Sequence, residues 1–312
     1  MRLHETTERI PIKKGVRQGD PISPKLFSAI LEEVFKKLDW ETKGIKINGR
    51  YLNHLRFADD IVLISQSAGE LQDMMRQLNK ASNEVKLEMN FQKTKVMFNN
   101  FCPSQEIVVE NEVIEKVKEY IYLGQLQSFD GNIDQEVARR VKLSWSAFGR
   151  LNFIFKTKMP LSLKRKVFDQ CVLPVTTYGS ETWTLNAKNI QKLRVMQRGM
   201  ERCMLGITRR DRKRNTWVRS QTKVTDVIHR VAKLKWEWAG HIARRTDERW
   251  TVEILNWYPR GIVRPRRRPQ IRWADDIRAL AGKQWKRVAS DRVMWQALKE
   301  AYTLQWVDRG SK

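Results

Sequence analysis

A chain of 312 residues, 41% of them hydrophobic, is long enough to bury a sizeable core and to form more than one domain. Its 60 Lys and Arg against 35 Asp and Glu leave a net charge of +25, for which a phosphate backbone is the obvious counter-charge. Three cysteines, odd in number and far apart, exclude a disulfide framework, and no apolar run reaches the roughly 18 residues of a membrane span.

In chain order the first expected element is a helix. Ser23 offers an N-cap and Pro24 a first-turn proline, after which Leu26, Phe27, Ile30, Leu31, Val34, Phe35 and Leu38 recur at helical spacing. Residues 45–52 centre on Asn48-Gly49, the strongest short hairpin signal. Next comes Leu55-Arg56-Phe57-Ala58-Asp59-Asp60-Ile61-Val62-Leu63-Ile64, strand-like on both sides of two adjacent acids, which reads as a tight hairpin with carboxylates at its tip. Ser67 and Glu70 form a capping-box pattern that opens a helix with Leu71, Met74, Met75, Leu78 and Val85 on one face. Residues 108–123 hold two or three short strands around Asn111-Glu112, and helical patterns take over from Ile133. Ile190, Leu193, Met200 and Met204 stripe one later helix; Ile228, Val231, Leu234 and Trp238 stripe another, and such stripes usually face a core. The expected fold class is α+β: an antiparallel sheet with helices, then a helical region, divided as residues 1–130, 131–205 and 206–312.

Two carboxylates on adjacent residues repel each other unless a cation sits between them. Hard oxygen donors favour Mg²⁺ or Mn²⁺, and two such ions clamped by carboxylates form the phosphoryl-transfer centre of polymerases and nucleases. A plain surface turn, where Asp is common, leaves the same local pattern. The chain supplies its own control in Trp273-Ala274-Asp275-Asp276-Ile277, which repeats the acid pair without strand-like flanks.

The surroundings of the first acid pair add to it. Gly15-Val16-Arg17-Gln18-Gly19-Asp20-Pro21-Ile22-Ser23-Pro24-Lys25-Leu26-Phe27 precedes it, while Leu87-Glu88-Met89-Asn90-Phe91-Gln92-Lys93-Thr94-Lys95 and then Tyr122-Leu123-Gly124 follow. In order and spacing these blocks resemble the reverse transcriptases of non-LTR (LINE-type) retrotransposons over roughly residues 10–150. Tyr178-Gly179-Ser180-Glu181-Thr182-Trp183 looks similar in pattern to their later helical region. The resemblance implies an RNA-directed DNA polymerase, a nucleotidyltransferase that takes an RNA template, a DNA primer or target and deoxynucleotides. It implies Asp59 and Asp60 as the catalytic, metal-binding pair. Gln18 and Gly19 would shape the nucleotide and template pocket, Phe57 would pack near the primer end, and Lys93 or Lys95 would neutralise the leaving phosphates. Residues 1–130 would then be a partial palm, 131–205 a helical thumb or connection, and 206–312 a basic, Trp-rich nucleic-acid-binding region.

Complete enzymes of that family carry a third metal-binding aspartate upstream of the Gln-Gly block, together with fingers that hold template and nucleotide. The 14 residues before Gly15 contain no Asp, so the expectation is a truncated palm with an incomplete two-metal site. Loss of one bridging carboxylate removes metal affinity and the positioning of the attacking oxygen. The alternative is a non-catalytic RNA- or DNA-binding remnant of a retroelement.

Residues 205–312 hold 27 basic and 11 acidic side chains and nine of the 12 Trp. Interleaved Arg and Trp neutralise phosphates and stack on unpaired bases. Trp236, Trp238, Trp273 and Trp295, however, lie in helical patterns that suit a core. Two basic runs are the expected phosphate contacts: Arg209, Arg210, Arg212, Lys213 and Arg214 in one, Arg264, Arg266, Arg267 and Arg268 in the other. Either would also serve as a nuclear localisation signal or as plain solvated charge. Cys203, His229 and His241 are separated by 26 and 12 residues, which matches no compact zinc finger. Nothing near the N-terminus resembles a signal peptide, so an intracellular protein, nuclear or shared between nucleus and cytoplasm, is expected.

Overall fold

The computed structural model describes residues 15, 19–131, 133–247, 249–257 and 271–308, which fall into two units, residues 1–118 and 119–312. In the first unit α1 (Ser23–Lys36) is opened by Asp20, whose carboxylate accepts the Ile22 N–H at 2.9 Å; Ser23 already lies inside the helix. Leu31, Val34 and Phe35 of α1 pack with Trp40 and with Met74 and Leu78 of α2 (Ala68–Glu84). Ile22, Leu26 and Ile30, one turn apart, remain 60%, 49% and 43% exposed. The apolar spacing of α1 therefore covers two faces, of which one is core. Helix α2 opens as its sequence predicts: Ser67 Oγ accepts the Glu70 N–H at 3.2 Å, while the Glu70 carboxylate reaches back to the Gln66 N–H at 3.1 Å.

Short strands run between and after these helices: β1 (Ile45–Ile47), β2 (Arg50–Leu52), β3 (His54–Phe57), β4 (Asp60–Leu63), β5 (Lys95–Val96), β6 (Val108–Val109), β7 (Glu112–Val113) and β8 (Glu115–Lys116). The expected antiparallel sheet proves to be separate two-stranded ribbons, β1–β2, β3–β4 and β6–β7 antiparallel, with β5–β8 parallel. Hairpins announce themselves by turn residues, whereas a parallel pair needs a crossover that has no local signal. Asn48 and Gly49, at φ +48° and +93°, make the first turn; Glu110 and Asn111, at +47° and +67°, make the turn of β6–β7. Paired positive φ is the type I′ geometry that Asn and Gly tolerate best.

The second unit begins with the hairpin β9 (Glu119–Tyr122) and β10 (Gln125–Ser128). It continues as α3 (Ile133–Arg150), α4 (Asn152–Lys156), α5 (Leu161–Val167), α6 (Leu173–Thr177), α7 (Ala187–Leu205), α8 (Asn215–Thr222), α9 (Val227–Ala243), α10 (Trp250–Asn256), α11 (Asp275–Ala281), α12 (Trp285–Ser290) and α13 (Arg292–Asp308). One hydrophobic cluster runs through it, from Val137 on α3 through Leu193 and Met200 on α7 to Trp236 on α9 and Tyr302 on α13. Helices before and after residue 205 thus share a core.

On α9 the buried stripe is Ile228, Val231, Ala232, Lys235, Trp236 and Ala239; Leu234 and Trp238, expected on it, are half-buried beside it. A Cβ on Gly240 would meet the Trp295 indole nitrogen at 2.5 Å, so only glycine lets α13 come this close. There Trp236 and Trp295 stack with ring centroids 3.7 Å apart. Each indole N–H donates to the other's carbonyl oxygen, at 2.9 and 3.0 Å. Trp236, Trp285, Trp295 and Trp306 are buried, so much of the C-terminal aromatic content is core. No helix among the described residues is long and apolar enough to cross a membrane.

Candidate functional site

The acid pair sits where its sequence predicts. Phe57 pairs with Asp60 across a two-residue turn, Ala58-Asp59, in which Ala58 takes φ +53°, a left-handed value that glycine more often supplies. Strand β3 is anchored at His54 and Arg56, and the tip of the hairpin is open. Arg56 pairs with Glu32 of α1 at 2.8 Å and lies 4.4 Å over the Phe35 ring. The His54 ring packs tilted by 34° against Phe35 with centroids 4.5 Å apart, and its Nδ1 lies 2.6 Å from Asn53 Oδ1. Burial, reinforced by the Arg56 charge, lowers the His54 pKa to about 4, so this ring is neutral at physiological pH. Asp59, Asp60 and Phe57 are exposed, and neither carboxylate has a hydrogen-bond or ion-pair partner among the described residues. Unneutralised hard donors of this kind suit a divalent cation.

The other predicted residues are placed as follows. Gly19 is exposed at φ +91°, next to the Asp20 that opens α1; Gln18 lies outside the described residues. Lys93 is exposed in the turn that Asn90 organises by accepting the Lys93 N–H on its side chain at 3.0 Å. Lys95 is engaged elsewhere, on Glu115 and on the Gln92 carbonyl at 2.8 Å. The structure thus joins Phe57, Asp59 and Asp60 at one turn and commits Lys95 to the β5–β8 pairing. No group of three or more His, Cys, Asp or Glu side chains that could hold an ion occurs among the described residues, Cys203, His229 and His241 included.

Two motifs of the second unit meet. The Tyr178 phenol donates to the Leu123 carbonyl at 2.9 Å, and the Gln125 amide donates to Thr182 Oγ1 at 3.1 Å. Arg139 donates to the Gly124 carbonyl at 2.6 Å, and Arg140, bound to the same carbonyl, lies 4.7 Å over the Tyr178 ring. Both arginines are held by buried Glu136, at 2.7 and 2.6 Å. Burial alone would raise the Glu136 pKa; the hydrogen bonds from Arg139 and Arg140 overcome it and hold the carboxyl below its ordinary value. Sequence reading singled out both motifs but missed that they pair, although each carries a tyrosine followed within two residues by a glycine.

The control pair behaves differently from Asp59-Asp60. Asp275 and Asp276 start α11, and Asp276, 3% exposed, accepts from Lys235 Nζ at 3.0 Å and from the Tyr302 phenol at 2.6 Å. That acid is a buried counter-ion. Arg209, Arg210, Arg212, Lys213 and Arg214 are all exposed between α7 and α8. Arg264, Arg266, Arg267 and Arg268 lie outside the described residues.

Residues 1–126 match the family described as reverse transcriptase (RNA-dependent DNA polymerase). A transposon-derived protein of Caenorhabditis elegans is 34% identical over 272 residues, which is 81% of this chain and 97% of that protein. The chain belongs to this family of transposon-derived proteins with a reverse transcriptase domain. The Pol polyprotein of the type-1 retrotransposable element R2 of Nasonia vitripennis is 37% identical over 76 residues, 24% of this chain and 7% of the polyprotein. That of the type-2 element R2DM of Drosophila melanogaster is 28% identical over 130 residues, 38% of this chain and 12% of the polyprotein. The chain therefore spans a small part of the R2 polyproteins and nearly all of the nematode protein.

Proposed function

We propose that this chain is a non-LTR retrotransposon reverse-transcriptase derivative that binds RNA template and DNA primer or target, and that residues 1–312 by themselves do not extend a primer. The observation that carries the reading is the pair of unneutralised carboxylates at the exposed β3–β4 turn, inside the stretch that matches the reverse transcriptase family. Asp59 and Asp60 would hold Mg²⁺ or Mn²⁺, which when bound stabilises negative charge on a transferring phosphoryl group. The exposed Phe57 ring offers an apolar surface beside them. Two carboxylates fix fewer positions than a pair of bridged ions requires, and a third would have to come from outside the described residues.

The test is primer extension on an RNA template with deoxynucleotides and Mg²⁺ or Mn²⁺, run beside a binding assay on the same duplex. Binding without extension is the expected result. Extension that disappears in Asp59→Ala would show a complete catalytic centre and overturn the second half of the proposal; absence of binding would overturn the first.

A further inference from the structure

The basic run between α7 and α8 is built into the fold. Asp211, the acid within it, is committed locally: its carboxylate accepts the Thr208 N–H at 2.6 Å and the Thr208 hydroxyl at 2.9 Å, while Thr208 Oγ1 accepts the Arg210 N–H at 3.2 Å. Arg202 of α7 pins the far end, donating to the Lys213 carbonyl at 3.4 Å and to Asn215 Oδ1 at 2.7 Å. Arg209, Arg210, Arg212, Lys213 and Arg214 are left exposed with no ion-pair partner among the described residues. Beside them Trp217 is 39% exposed, and the Lys213 ammonium lies 5.4 Å from the centre of its ring. Every other described Trp after residue 205 is buried or half-buried. Val218, the next residue, is fully buried and fixes the helix that carries the indole.

We propose that Trp217, flanked by Lys213, is a stacking platform for an unpaired base of a single-stranded nucleic acid whose phosphates are met by Arg209, Arg210, Arg212 and Arg214. This deepens the nucleic-acid-binding reading above and rests on it. An accessible ring face takes a base of any identity, and unpaired cations take the phosphates on either side. A duplex keeps its base faces inside its own stack and gains only the phosphate contacts.

The test uses the full chain, with anisotropy of a fluorescein-labelled oligo-dT, an oligo-rU of equal length and a duplex. Trp217→Ala weakens binding to both single strands about 5- to 150-fold, the equivalent of one lost base stack, and changes duplex binding by less than about twofold. Trp217→Phe keeps most of the single-strand affinity, because the ring remains. Arg209→Glu with Arg210→Glu weakens all three alike. Single-strand binding by Trp217→Ala at the wild-type level would overturn the platform while leaving the nucleic-acid-binding reading intact, as would equal losses on single strand and duplex. Failure of the wild-type chain to bind any of the probes would overturn both.

Discussion

Tyr178 and Leu123, 55 residues apart, are joined by a hydrogen bond of 2.9 Å from phenol to carbonyl oxygen, and the Tyr178 ring lies against Gly124. Gly124 sits at φ +72°, and a Cβ there would stand 3.3 Å from the ring. Gly124→Ala therefore meets left-handed strain and a crowded ring together, for a loss of about 1–2 kcal/mol or more. Tyr178→Phe keeps the ring against Arg140 and loses one hydrogen bond, about 1 kcal/mol. Urea unfolding followed by circular dichroism checks the order; a Gly124→Ala midpoint equal to wild type would contradict this joint.

Lys235, 1% exposed, lies between the rings of Trp273 and Trp306, at 5.4 and 5.5 Å, and pairs with Asp276. Breaking a buried pair from one side strands a charge. Asp276→Asn is expected to destabilise by about 3–5 kcal/mol, whereas Lys235→Met with Asp276→Leu recovers most of that loss, because apolar replacements of a buried pair are often neutral or better. Additive losses in the double variant would show that the pair is not the unit of stability.

His54 links stability to pH. Its folded pKa of about 4 lies below the ordinary 6.5, so between those values the unfolded chain binds more protons and stability falls as pH falls. Above 6.5 the ring is neutral in both states and costs nothing. His54→Phe, which keeps an aromatic ring on Phe35, should remove this part of the slope. The check is unfolding free energy against pH for both proteins; identical slopes between pH 4 and 6.5 would contradict the assignment.

What was legible in the sequence was local. Asn48-Gly49 announces its turn because those residues tolerate positive φ, Ser67 caps α2 through its own hydroxyl, and Asp59-Asp60 falls at a hairpin tip because apolar strands flank it on both sides. What escaped was set by residues far away in sequence. Lys235 enters the core of α9 only because Asp276, Trp273 and Trp306 arrive to receive it, which no helical periodicity announces. Trp236 and Trp295 satisfy each other's indole N–H, so a residue type that suits base stacking becomes core. The outward row Ile22, Leu26, Ile30 and the buried row Leu31, Val34, Phe35 both fall at helical spacings, and pattern alone does not choose between them. The ion pair of Lys95, a phosphate ligand by resemblance, with Glu115 comes from the parallel partner strand, which no local pattern announces.

The proposed function stands on a cation held at the turn of Asp59 and Asp60. Its most direct test is titration of the full chain with Mn²⁺, read by paramagnetic broadening of backbone amide resonances, in wild type and in Asp59→Asn with Asp60→Asn. The amides of Ala58, Asp59, Asp60 and Ile61 are expected to broaden first, and this effect to be lost in the double variant, whose turn keeps its shape without its charge. Broadening that begins elsewhere, or that is equal at this turn in the double variant, would contradict it.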